Sequence, residues 1–572
     1  MNIDQTTTKL KNSYIVSTYA SSAFGAVIGV IVSIAAALFV HIVRYFSDQN
    51  HFSDIKALSY GPITLNLTTV FLIACAAVAI LVLRRLFNVN RWHGPADTIY
   101  AAHQDLEPID LKMGLASTLA ALVSACGSAS VGQYGPLVHF GATLGLALKQ
   151  TLFVPMRSNV VIGCGVAAAI SAGFDAPIAG IIFAHEAILR HFSARAMAPI
   201  ATSAIVAAAM VNYVFQLPNP LSLRSEAPPL LEALLPVILS AVIFGFVAIL
   251  FMQSLRFFMS LNKRLALPAY KSLFIASLCV VLVGAYIPET LGLGTQTLGE
   301  LLNVPPTLGF ALALFAGKIF LTSICLGFGF FGGVFSPALF VGASAGAVLG
   351  SAFVSTSQGD LSTALTLAGM ASVAACVVGA PLATVFIVLE LTLSYEFTLI
   401  TLLAVVVSQV VSSNIFGHSF FDRQLIDRGI DLRQGRSQLL LTQTKIGAYA
   451  TSDFVTSRSE QSVKQLLDAL RRKNHTEAYF VSDSGLFVGK LTINQLLTAP
   501  PDAAVDDLVD HAPLLLEANT SLQQSIEKAS SFVGESIPVV SSETGHLLGV
   551  VTEADLFSAY LEIQETIRDV ER

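Results

Sequence analysis

Long uncharged apolar runs separated by short polar breaks fill residues 15 to 437, and short alternations of apolar and polar residues follow to the end of the chain. The runs fall at 15–43, 61–83, 113–148, 158–174, 176–189, 196–216, 233–255, 272–288, 301–317, 319–359, 361–389 and 396–416. Apolar stretches of about 20 residues can cross the ~30 Å hydrocarbon core as helices. The shorter ones suit helices that are tilted or stop at the midplane. Two of the longest runs are interrupted by glycine, at Val131-Gly132-Gln133-Tyr134-Gly135-Pro136 and at Gly332-Gly333-Val334-Phe335-Ser336-Pro337. Proline follows each break at a position suited to start a helix, because its missing N–H costs nothing there. Unwound backbone inside a membrane is tolerated only where it is buried in protein or lines a polar cavity. Paired interruptions in two halves point to a midplane site with helix N-termini aimed at an anion.

Composition agrees: 54% of the 572 residues are hydrophobic and only 12% charged, against roughly a quarter charged in a soluble domain. Residues 441–572 hold ten Lys/Arg and nineteen Asp/Glu, so an acidic, water-facing tail of net −9 follows a body of net +3. The first run is too long for a signal-peptide core and reads as the first membrane helix. Arg84, Arg85 and Arg91 form a basic cluster of the kind that stays in the cytoplasm. The six cysteines lie in apolar runs without metal-like spacing and read as buried small hydrophobes. No metal ligand set, nucleophile–base pair or P-loop is present, and no basic stripe suggests nucleic acid.

The two breaks resemble those of the CLC family of chloride channels and proton-coupled chloride transporters. That family's pattern is Gly-Arg-Glu-Gly-Pro at the first break and Gly-x-Phe-x-Pro at the second. Gly132, Gly135 and Pro136 match the first, and Gly333, Phe335 and Pro337 the second. Phe174-Asp175-Ala176-Pro177-Ile178-Ala179-Gly180, running on to His185-Glu186, resembles the family's inner helix. The resemblance implies a homodimer with one pathway per subunit. The anion would sit among the amides of Gly132, Gln133, Tyr134 and Gly135 and those of Val334 and Phe335. Amides and helix dipoles replace water with partial charges, whereas a buried Lys or Arg would trap the ion.

The departures carry the functional expectation. The family's gating glutamate falls on Tyr134, a phenol that is neutral at physiological pH and cannot imitate an anion, although it can donate a hydrogen bond to one. A second glutamate of proton-coupled members falls on Ala187, and the family's late tyrosine on Phe421. Where the family has Gly-Ser-Gly-Ile-Pro, this chain reads Arg91-Trp92-His93-Gly94-Pro95. Trp92 or His93 takes the place of the anion-holding serine; an interfacial tryptophan anchoring a helix end is the other reading. His139, His185 and Glu186 are the intramembrane titratable groups near these motifs, and such groups are functional candidates by default. Glu186 also matches a glutamate of uncoupled members, which implies a structural role.

In the tail, 478–481, 487–492, 537–540 and 547–552 read as short strands and 462–472 and 522–530 as helices. The order helix–strand–turn–strand–helix occurs twice and resembles a tandem pair of CBS domains, which implies an adenine nucleotide as ligand. Thr552 and Asp555 match the nucleotide motif, while the first copy has Gln495 in place of the aspartate. A purely structural pair is the alternative.

The expected architecture is a polytopic all-α membrane protein with an inverted repeat and broken helices, followed by a cytoplasmic α/β CBS pair. Its divisions are an N-terminal segment 1–14, a transmembrane domain 15–437, a linker 438–447 and CBS copies at 448–499 and 507–566. The expected activity is an anion channel or uncoupled transporter in the cell membrane, with chloride by default and bicarbonate, nitrate or fluoride admissible; no cofactor is required. Its rivals are a proton-coupled antiporter using His139, His185 or Glu186, and a non-conducting nucleotide sensor.

Overall fold

The structure, a computed structural model, describes residues 3–51, 57–60, 63–104, 109–216, 223, 225–353, 359–432, 435–459 and 461–571. It divides into two units, 1–429 and 430–572. Among the described residues of the first, seven helices are long and apolar enough to cross a membrane, and shorter apolar helices such as Leu111–Cys126 and Ser158–Phe174 lie among them.

Several apolar runs divide differently from the expectation. The first helix extends over Ile3–His51, taking in residues 3–14. The run 61–83 opens with a hairpin, Ala57–Tyr60 paired antiparallel with Ile63–Asn66, and its helix starts at Leu67, where Asn66 caps the amide of Thr68. Run 301–317 is cut between the helices Thr295–Asn303 and Leu308–Gly327, because Pro305 and Pro306 cannot donate a helical N–H. Run 361–389 breaks after Val378, where Gly379 adopts φ +78° and Pro381 begins a new helix, Pro381–Thr392.

The two halves repeat at key positions. Gly132, Pro136, Gly141 and Gly145 recur 201 positions later as Gly333, Pro337, Gly342 and Gly346. Ala176, Pro177, Ala179 and Glu186 recur 204 positions later as Ala380, Pro381, Ala383 and Glu390. The glycines carry the packing of equivalent helix pairs. Tyr134–Leu152 meets Ser158–Phe174 at Gly141 and Gly165, and Phe335–Phe353 meets Gly359–Val378 at Gly342 and Gly369. A methyl added at Gly141 would lie 2.3 Å from the Gly165 oxygen, and one at Gly342 would lie 2.1 Å from that of Gly369. Without a hydrophobic force between helices in lipid, such close approach is what holds them. Gly342→Ala is therefore expected to destabilise the membrane unit by about 1–3 kcal/mol. A thermal melt of the purified protein checks this, and an unchanged midpoint would show that the contact is slack.

Among the described residues of this unit, one lysine is completely enclosed. Lys318 is completely buried, donating to the carbonyls of Thr290 (3.0 Å) and Gly292 (2.8 Å) and standing 4.8 Å from the Phe340 ring centre. Backbone oxygens thus satisfy the amine that precedes the uncharged run 319–359.

The second unit contains two copies of one motif. In each, a short strand pairs parallel with a central strand that pairs antiparallel with a third: Val455–Ser457, Glu477–Val481 and Phe487–Thr492, then Leu516–Glu517, Ile537–Val540 and Leu547–Val551. The four expected strands and both helices, Val463–Lys473 and Leu522–Ala529, are present. The first strand of each copy, at three and two residues, is too short to leave an alternation. Within the first copy Lys490 and Glu477 form a buried ion pair at 2.6 Å, and Glu477 joins the copies by accepting from the amides of Glu535 and Ser536 (both 3.0 Å).

Candidate functional site

The two glycine breaks meet. Gly132 N–H donates to Gly333 O (2.7 Å) and Gly333 N–H to Gly132 O (2.6 Å), an antiparallel pair between chain segments from opposite halves. A side chain at either position would strike backbone: a methyl on Gly132 would lie 2.7 Å from Gly333 O, and one on Gly333 would lie 2.8 Å from Gly135 N. From this junction the helices Tyr134–Leu152 and Phe335–Phe353 begin. Their first-turn amides have no intrahelical acceptors, and with the helix dipoles they favour negative charge. Gln133, Val334 and Phe335 are buried here, and among the described residues Gln133 Oε1 has no hydrogen-bond partner.

Three rings from three helix ends fill the space beside the junction. Tyr134, 4% exposed, stacks on Phe174 with ring centres 3.7 Å apart and an interplanar angle of 24°. Phe335 stands edge-on to both, 6.0 Å from Tyr134 and 5.3 Å from Phe174. Gly173 makes room for this, since a methyl there would lie 2.8 Å from the Tyr134 ring. Phe174 opens the stretch that resembles the family's inner helix, and nothing in the sequence there marks it for a role. It ends a helix whose next residue, Asp175, is left-handed at φ +57°, and that stop aims the ring at Tyr134.

The loop before Pro95 is brought to the same region by two serines of the helix Leu111–Cys126. Ser117 Oγ accepts from His93 N–H (2.8 Å), and Ser124 Oγ accepts from Phe331 N–H (3.1 Å). Trp92 packs on Phe331 at 5.9 Å between ring centres, and the Arg84 guanidinium lies over the Trp92 ring at 5.9 Å from its centre. The His93 ring is 6.0 Å from that of His139, whose Nδ1 bonds Thr98 Oγ1 (2.8 Å) and whose buried Nε2 has no hydrogen-bond partner among the described residues. Asp97 fixes the loop by accepting from Gly94 N–H, Arg91 and Arg428.

Glu186 binds backbone of the opposite half. Its two oxygens accept from Leu382 N–H (3.0 Å) and Ala383 N–H (2.8 Å), at the start of the helix Pro381–Thr392. Glu390 does the same for Ile178 (2.9 Å) and Ala179 (2.8 Å), at the start of Pro177–Phe183. The pair is reciprocal, each half capping a helix of the other. His185 is turned aside, with Nδ1 at 3.1 Å from His191 O and its ring stacked on Phe192. Phe421 is buried in the short helix Phe420–Ile426, whose start is fixed by Ser419 and by Asp422 bonded to Arg190.

The family model for the voltage gated chloride channel matches residues 75–413, more than half of the chain. The chain belongs to the CLC family. A protein of Escherichia coli (strain SMS-3-5 / SECEC) named as the voltage-gated ClC-type chloride channel ClcB is 27% identical over 414 residues, covering 69% of this chain and 96% of that one. Among solved structures, a slow cyanobacterial Cl−/H+ antiporter superposes with a TM-score of 0.62 at 20% identity, over 72% of this chain and 97% of that one. A eukaryotic CLC transporter superposes with the same score at 16% identity over 95% of this chain and 98% of that one. The CBS domain model matches residues 505–562.

This CLC chain is therefore a multi-pass membrane protein of a family of anion channels and transporters, with its CBS region on the cytoplasmic side. In that region Thr552 and Asp555 engage each other: Asp555 Oδ2 accepts from Thr552 Oγ1 (2.7 Å) and N–H (2.9 Å). Gln495 caps Thr492 in the same manner in the first copy, at 2.8 Å for both bonds. The aspartate-to-glutamine change thus preserves the local cap. Among the described residues no group of three or more His, Cys, Asp or Glu side chains gathers as a metal site.

Proposed function

We propose that this CLC protein moves an anion, chloride by default, without coupling it to protons, and that Tyr134 is the gate. The observation that carries the reading is the buried Tyr134, stacked on Phe174 and edge-on to Phe335, directly on the paired helix starts where the family places a carboxylate. A phenol there donates a hydrogen bond to an anion without competing with it as a charge. Val334 and Phe335 supply amides from the second half, Gly132, Gln133 and Gly135 from the first, and Phe421 narrows the cytoplasmic side. Further support comes from Glu186, whose oxygens are occupied by helix amides. Bicarbonate, nitrate and fluoride meet the same donors, because N–H groups do not name the anion.

The reversal potential of the reconstituted protein under a chloride gradient, with and without an opposing pH gradient, tests the proposal. No shift with pH is expected, and Tyr134→Phe is expected to alter anion selectivity or conductance. A potential that follows the pH gradient would overturn the uncoupled reading. It would favour the antiporter instead, with the unpartnered Nε2 of His139 beside the His93 ring as the replacement station.

Regulation by an adenine nucleotide at the CBS pair through Thr552 and Asp555, and assembly as a homodimer, complete the reading. Nucleotide binding without anion flux would return the protein to the sensor class.

A further inference from the structure

Near the end of the membrane unit, the last turns of the helix Leu230–Leu265 face the short helix Phe420–Ile426 across a cleft of about 320 Å³. Its walls carry three cations, Arg256, Lys263 and Arg423, against one carboxylate, Asp427. Asp427 holds the two arginines loosely, at 3.3 Å from Arg256 and 3.7 Å from Arg423. Arg423 Nε is buried without a hydrogen-bond partner, and among the described residues Lys263 has no ionic partner. Gln424 also lines the cleft, whereas the Ser260 hydroxyl on its wall already donates to Phe257 O (3.0 Å). The site thus has two positive charges in excess and guanidinium, ammonium and amide N–H donors on its walls, around a space larger than a halide needs.

Its level along the helix identifies the source. Phe246, Leu250 and Phe257 present exposed apolar faces, as lipid-facing residues do, whereas Lys263 and Arg264 occupy the last turn. The cleft lies where that surface changes from apolar to cationic, which is headgroup depth, and Phe257 forms part of its rim. The chain continues from Asp427 into the cytoplasmic unit, so the leaflet is the cytoplasmic one, whose anionic lipids attract such clusters.

We propose that this cleft binds a phosphate group, presented by the headgroup of an anionic lipid. Guanidinium forks match phosphate oxygens in pairs, and the phosphate takes the place that Asp427 holds between Arg256 and Arg423 while reaching Lys263. Phe420 lines the cleft, and the next residue is Phe421. An occupied cleft therefore clamps the helix that positions Phe421, which makes lipid composition an input to the pathway. The binding itself is read without measuring anion flux.

The test titrates the full-length protein in detergent with phosphatidic acid, phosphatidylcholine and inorganic phosphate, following bound species by native mass spectrometry. Phosphatidic acid is expected to bind at least tenfold more tightly than phosphatidylcholine. Lys263→Gln, at a side chain with no ionic partner to lose, is expected to weaken it about fivefold, as the loss of one interfacial cation predicts. Arg256→Gln with Arg423→Gln is expected to abolish the preference. Displacement of phosphatidic acid by inorganic phosphate at matching affinity would assign the site to free phosphate rather than lipid. Equal binding of the two lipids together with no uptake of phosphate, or equal affinity in the parent and in Lys263→Gln with unchanged melting, would overturn the proposal.

Discussion

Tyr134→Glu is expected to lower anion flux at neutral pH by roughly tenfold or more and to make the remaining flux rise on acidification. The ring now stands at the shared start of two helices, stacked on Phe174. A glutamate there is ionised at neutral pH and competes with the permeant anion for the same amides. An anionic group at a favourable, partly buried helix terminus is stabilised by up to about 2 kcal/mol, which is on the order of a thirtyfold competition. As the pH falls towards the reference carboxylate value of about 4.3 the side chain neutralises and leaves the site, so flux recovers in that direction. Tyr134→Gln removes the ring without adding charge and is expected to keep flux insensitive to pH. Radiotracer efflux from liposomes at several pH values separates the two variants. Equal pH profiles for them would mean that position 134 does not face the anion.

Glu186→Gln and Glu390→Gln are expected to destabilise the membrane unit by similar amounts, about 2 kcal/mol each. Each carboxylate accepts two backbone N–H bonds at a helix start. Hydrogen bonds to a charged group contribute about 1.5–3 kcal/mol, and the replacement amide also turns a donor towards a donor. The matching pair tests role as well as strength. Two reciprocal caps predict two equal losses in a thermal melt and no change in the ratio of protons to anions moved. If Glu186→Gln altered that ratio while Glu390→Gln left both melt and transport untouched, Glu186 would be a proton station and not a cap.

How much of this could be read from the chain depends on the distance over which each signal acts. Glycine breaks followed by proline are local, and both helix starts at 134 and 335 were legible with their amides. The CBS strands at 477–481 and 487–492 were legible for the same reason, as alternation within six residues. The repeat between the halves was visible only as two similar breaks. Its residue-level match is hidden because Ser336 replaces the second glycine and because His139 and Phe340 occupy the same place. Glu390 lies 204 residues from its counterpart and looks like any carboxylate near a membrane helix end until the helix it caps is seen. The divisions at Pro305-Pro306 and at Gly379-Ala380-Pro381 carried adequate turn chemistry, but hydropathy alone ran across them. Phe174 needed the positive φ of Asp175 to be known before its ring could be aimed. Arg256 and Arg423 converge only through the packing of helices far apart in the chain.

The mutual bonding of Gly132 and Gly333 also orders events during synthesis. At roughly 5–20 residues per second, the 201 positions between them take about 10–40 s to emerge. For that interval the first half is in the bilayer with the amide of Gly132 lacking its acceptor, and unpaired backbone in hydrocarbon is costly. The nascent first half must therefore be sheltered by water, lipid headgroups or the insertion machinery, and its pathway closes only when the second half arrives.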